Sequence, residues 1–85
     1  MTKNELASRL LLDGVRPDSY SLDGSTPAYE GLVLSNVHGM WLVQYFERGN
    51  WRELARSYSE SDACDRFYEI VSKDRTFRQP GANTR

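Results

Sequence analysis

A single cysteine, Cys64, occurs in the 85 residues, so the chain cannot close a disulfide on itself. Small secreted domains lean on such cross-links, and their lack points to a reducing, cytoplasmic setting. No apolar run approaches the roughly 20 residues of a membrane-spanning helix. The opening MTKNELASRLLLDG has neither the apolar centre nor the cleavage site of a secretory signal. Histidine also occurs once, at position 38. Imidazole catalysis needs a nucleophile and an orienting partner, and nothing near His38 in sequence supplies them, which leaves an exposed turn residue as the better reading. One His and one Cys cannot build a zinc site without carboxylates. Asp18, Asp23 and Glu30 lack the spacing and glycine of a calcium loop, and neither phosphate-binding glycine motif is present. No cofactor or metal is expected.

What is present is an ordinary globular balance, 39% hydrophobic and 27% charged, in one domain's length. A chain this short buries only about 60–65% of its unfolded surface, which allows one core but no deep catalytic cavity. The net charge of −1 is too balanced to predict nucleic-acid binding. The charge is unevenly spread: residues 1–35 carry −2, residues 60–74 carry −3 and the last eleven +3.

Thr2 to Asp13 reads as a helix. Thr2 and Glu5 have capping-box spacing, Leu6, Ala7, Leu10 and Leu11 recur on one face, and Gly14 suits a helix stop. Val15 to Ala28 is turn-rich, with Tyr20-Ser21-Leu22 as a short edge strand. Glu30 to Leu34 reads as a strand closed by a His38-Gly39 turn. Met40 to Arg48 is the clearest strand; both of its faces are mostly apolar, which places it centrally. A Gly49-Asn50 loop of the II′ type then joins it to Trp51–Tyr58, where Trp51, Glu53, Ala55 and Ser57 alternate with Arg52, Leu54, Arg56 and Tyr58. Ser59 or Ser61 caps a second helix running to about Lys73, with Ala63, Cys64, Phe67, Tyr68, Ile70 and Val71 on its apolar side. The expected fold is α+β: two layers, an antiparallel sheet of three to four strands packed with an N-terminal and a C-terminal helix. Residues 1–75 make the domain and 76–85 a flexible basic tail.

Cys64 falls on the apolar face beside Asp62 and Asp65, a setting that favours core packing over thiolate chemistry. The twelve acids are expected to be mostly solvated, for want of a cleft that would perturb them. Arg48, Arg52 and Arg56, near Trp51 and Tyr58, hold open an alternative function as a small RNA-binding or regulatory interaction module. The balance of these readings is a protein that binds a partner and is not an enzyme.

Three stretches together carry a resemblance: Pro17-Asp18-Ser19-Tyr20-Ser21-Leu22-Asp23-Gly24, Trp41-Leu42-Val43-Gln44-Tyr45-Phe46-Glu47-Arg48-Gly49, and Ser59-Glu60-Ser61-Asp62-Ala63-Cys64 followed by Phe67. The arrangement resembles small bacterial immunity proteins encoded beside polymorphic toxins, including those of contact-dependent growth inhibition. It covers about residues 1 to 74. The resemblance implies a cytoplasmic antitoxin that forms a one-to-one complex with the C-terminal domain of its cognate toxin, often a nuclease, and blocks its active site. No direct nucleic-acid or membrane contact is implied. Acidic and aromatic groups would occupy a basic toxin cleft. The expected contact residues are Asp18, Tyr20 and Asp23 on a protruding loop, with Glu30, Glu47 and Arg48 extending the patch around a sheet end.

Overall fold

The computed structural model describes residues 1–27 and 29–73; the expected basic tail lies outside them. Helix α1 spans Lys3–Leu12. A 3₁₀ turn, Pro17–Ser19, leads into β1 (Tyr20–Ser21), followed by β2 (Glu30–Val37), β3 (Met40–Glu47), β4 (Asn50–Ser57) and α2 (Glu60–Lys73). The α+β class, the two helices and the central position of β3 agree with the sequence reading. The sheet order is β1-β2-β3-β4.

The sheet is mixed. β2, β3 and β4 run antiparallel, whereas β1 pairs parallel to β2, Tyr20 beside Leu32 and Ser21 beside Val33. Two residues offer too little ladder to fix a direction from sequence. The direction follows from the connection, because the chain after Ser21 returns along the sheet before β2 begins. It passes close over β2. A Cβ built on Gly24 would lie 3.3 Å from Ser35 Cβ, and one on Gly31 would lie 3.1 Å from Pro27 Cγ and 2.4 Å from the Ser19 carbonyl oxygen. Gly31 is therefore required by contact rather than by dihedral angle.

Both helices cover one face of the sheet. Leu6 and Leu10 of α1 meet Ala63, Cys64, Phe67 and Val71 of α2 over Leu32, Leu34 and Val43. Trp41, Tyr45, Tyr20 and Leu22 close the sides of this core. Tyr20 stands edge-on to Phe67, with ring centroids 6.5 Å apart.

The helix ends follow local chemistry. The Thr2 hydroxyl accepts from the Glu5 amide and the Glu5 carboxylate accepts from the Thr2 amide, so the capping box closes. At the other end Gly14 takes φ 73°, its amide donates to Leu11 and the Val15 amide to Leu10, a Schellman stop. Ser59 caps α2 by accepting from Asp62. The helices run side by side in the same direction. Glu60 accepts from the Lys3 amide at 2.8 Å, and further along Tyr68 donates to Asp13 under the Arg9 guanidinium. Leu11, expected on the apolar stripe, is 64% exposed; α1 buries only the Leu6–Leu10 line, and Leu11 lies about 100° of rotation away from it.

Two further corrections concern the β3–β4 hairpin. Its turn is Arg48-Gly49, not Gly49-Asn50: both residues have positive φ, 53° and 81°, as a type I′ turn requires. Glu47 then faces Asn50. Second, β4 does not alternate throughout. Glu53 faces Gln44 and Ala55 faces Val43, leaving Leu54 as the extra residue of a β-bulge. Leu54 and Ala55 both pack against the core.

Candidate functional site

The expected contact residues separate into two groups. Ser19 abuts Gly31, so the 3₁₀ turn carrying Asp18 lies beside the start of β2. Glu30 and Glu47 face each other across β2 and β3, and Arg48 occupies the adjoining turn. Asp18, Glu30, Glu47 and Arg48 thus share one end of the sheet. Tyr20 and Asp23 belong elsewhere. They line an open cleft of about 480 Å³ between α1 and the β1 edge, with Lys3, Asn4 and Leu22.

Tyr20 does not protrude, contrary to the expectation of an aromatic on a free loop. Its ring is half-buried against Phe67, and that burial pushes its phenol pKa up. The loop is also less free than expected. Asp23 accepts from the Ser25 hydroxyl at 2.6 Å, the Ser21 hydroxyl at 2.9 Å and the Ser25 amide at 3.1 Å. These bonds, led by the Ser25 hydroxyl, hold its carboxyl at about 2. Asp23 is a turn-builder in this arrangement, as Asx turns generally are.

The sheet end is chemically uneven. Glu30 accepts from the Tyr45 hydroxyl at 2.9 Å. Asp18 lies 3.9 Å from Arg16. Among the described residues, neither Glu30 nor Glu47 takes part in an ion pair, and like charges directly opposite in a ladder are destabilising. Tyr45, Glu47, Asn50, Trp51 and Arg52 line a shallow cleft of about 300 Å³ there, and Tyr29 beside it is 84% exposed.

The register exposes a surface that the sequence reading did not single out. Met40, Leu42, Gln44 and Phe46 of β3 point away from the helices, as do Val37 of β2 and Trp51 of β4. No described helix covers that face. Val33 beneath it is buried, because segment 22–27 passes over β2, but the β3–β4 side stays open. Trp51 packs on Phe46, with centroids 4.8 Å apart, and is still 44% exposed; Val37 is 47% exposed. A signal for this surface was present in the sequence. Two helices on one layer can bury only one face of a sheet, so a strand apolar on both faces must leave one of them to a partner.

The remaining candidates sit apart from one another. Cys64 is fully buried and desolvation raises its thiol pKa, which disfavours the thiolate. His38 is an exposed turn residue at φ 53°. Arg52 faces Tyr45 whereas Arg56 faces Leu42, so the bulge puts these two arginines on opposite faces, and Arg56 is engaged bidentately by Glu53. Among the described residues no three His, Cys, Asp or Glu side chains are grouped to hold a metal ion, and no helix is long and apolar enough to cross a membrane. Comparison with family models, curated proteins and solved structures returned no match to the chain.

Proposed function

We propose that this chain is an immunity protein that binds the C-terminal effector domain of a cognate toxin in a one-to-one complex and occludes its active site in the cytoplasm. Two independent features support the reading. One is the resemblance carried by Pro17–Gly24, Trp41–Gly49 and Ser59–Phe67. The other, which carries most weight, is the open apolar face of β3 and β4, with the carboxylates of Glu30 and Glu47 at one end of the same strands, on the helix side beside Tyr45. A half-exposed tryptophan anchored on a phenylalanine is the kind of group that dominates binding energy. Adjacent acids complement a cationic substrate groove, such as a nuclease presents, and speed encounter. In this reading Trp51 anchors, Asp18, Glu30 and Glu47 steer, and Arg48 pairs at the rim.

The parallel alternative, an RNA-binding strand, loses its geometric basis because Arg52 and Arg56 do not share a face. The test is co-expression with the toxin domain encoded beside the gene. Protected growth and co-purification of the two chains are expected. Failure to bind any adjacently encoded toxin domain would sink the proposal.

A further inference from the structure

The sheet has two edges. β1 is two residues long, and the segment after it folds back over β2. β4 is eight residues long and free of proline, and no described strand pairs with its outer side. A strand in that position presents a row of main-chain donors and acceptors to any second strand.

The bulge decides which strand fits. Trp51, Glu53 and Arg56 face Phe46, Gln44 and Leu42, on the uncovered side of the sheet. Arg52, Ala55 and Ser57 face Tyr45, Val43 and Trp41, on the helix side. This distribution is palindromic about the Leu54–Ala55 bond. In a regularly alternating strand, an antiparallel pairing with its own copy keeps like faces together only when the two-fold falls on a residue. Centred on Glu53, that pairing sets glutamate against glutamate. Centred on Leu54, it sets Arg52 against Arg56. The extra residue moves the two-fold to a bond and removes both conflicts.

We propose that two copies of the chain pair antiparallel through their β4 edges, about a two-fold axis at the Leu54–Ala55 bond, to form one continuous eight-stranded sheet. In this register Glu53 of each copy faces Arg56 of the other, and Leu54 faces Ala55. Trp51 comes opposite Tyr58, which is 77% exposed in the single chain. The Glu53 and Arg56 side chains already hold each other at 2.7 Å. Pairing the edges extends this into an alternating four-charge cluster without importing a new charge. Charges on a sheet edge ordinarily repel foreign strands; here they admit the complementary copy, so the same residues supply attraction and selectivity. The inference does not rest on the toxin reading, since it is argued from the β4 edge and its register alone.

Sedimentation velocity on the full chain over a wide concentration range tests it. The wild type is expected to show a reversible monomer–dimer equilibrium. Glu53→Arg sets arginine against Arg56 of the other copy, and Arg56→Glu sets carboxylate against Glu53. Each is expected to weaken the dimer at least about tenfold. An equimolar mixture of these two variants is expected to associate again, because every facing pair is then opposite in sign, and the double exchange E53R/R56E restores self-association. Re-association also shows that the single variants are folded. A wild type that stays monomeric, an association indifferent to either exchange, or a mixture that fails to associate would overturn the proposal.

Discussion

At the scale of single residues, the ionised groups divide into those that build the fold and those that weaken it. Asp23 builds. Its carboxyl lies at about 2, against an ordinary 3.8, through bonds from Ser25 and Ser21. A depressed folded pKa contributes stability that is present above the unfolded value and lost as pH falls through the folded one. Denaturation of wild type and Asp23→Asn should therefore show a gap near neutral pH that closes between about pH 4 and 2; a gap constant across that window would contradict the assignment. The facing carboxylates of Glu30 and Glu47 act in the opposite sense. Removing one charge by Glu47→Gln is expected to stabilise the free protein by roughly 0.2–1 kcal/mol while slowing association with a cationic toxin groove. Urea denaturation and stopped-flow binding would separate these effects. A gain in stability bought with binding is the usual sign of a residue kept for function.

At the scale of elements, the hairpin turns make the same point in backbone terms. His38 and Arg48 both sit at φ 53°, a region that costs a side-chain-bearing residue about 1–2 kcal/mol and that asparagine or glycine occupies more readily. Arg48→Asn is expected to raise the unfolding free energy by about 0.5–1 kcal/mol. If Arg48 pairs with the toxin, the same variant binds more weakly; unchanged affinity would remove Arg48 from the interface. The elements differed in how legible they were, for physical reasons. Thr2, Glu5 and Gly14 fix the ends of α1 through bonds within a few residues, so spacing alone announced them. The apolar side of α2 followed from one periodicity. Leu54 gave no local warning, because a bulge exists only relative to the strand across from it. The turn falls one residue before the Gly-Asn pair, which suits a II′ turn in isolation, because only the ladder, with Glu47 opposite Asn50, sets the true loop. The parallel pairing of Tyr20 and Ser21 depends on where the following loop goes.

At the scale of the whole molecule, the asymmetry of the layers is the dominant fact. Among the described residues, two helices on one side of four strands leave Leu42, Phe46 and Trp51 without a covering layer. Trp51→Ala should barely alter the unfolding midpoint, because the indole is 44% exposed, yet weaken toxin binding by about 2 kcal/mol or more. Isothermal titration beside a melting curve checks both halves, and a large fall in stability with unchanged affinity would reassign the residue to the fold. Part of the candidate site was legible beforehand. Glu30, Glu47 and Arg48 stand together because the polar ends of paired strands must meet. Tyr20 and Asp23 belong to a loop whose acids and aromatic suggest the same patch, but a loop's sequence says nothing about which way it turns. Trp51 and Phe46 carry no such signal by themselves, because an apolar strand face looks the same in a sequence whether or not another layer covers it.

The shared start of the two helices has a consequence for synthesis. The amide of Lys3 is satisfied by Glu60, 57 residues later, and the Leu6–Leu10 line has its main partners on α2. At about 5–20 residues per second, the first helix emerges roughly 3–11 seconds before the residue that completes its cap. For that interval its leucines have no native surface to rest on. Nascent chains should thus be most vulnerable to proteases and most in need of chaperones during that wait, which ends only when α2 can close over the leucines.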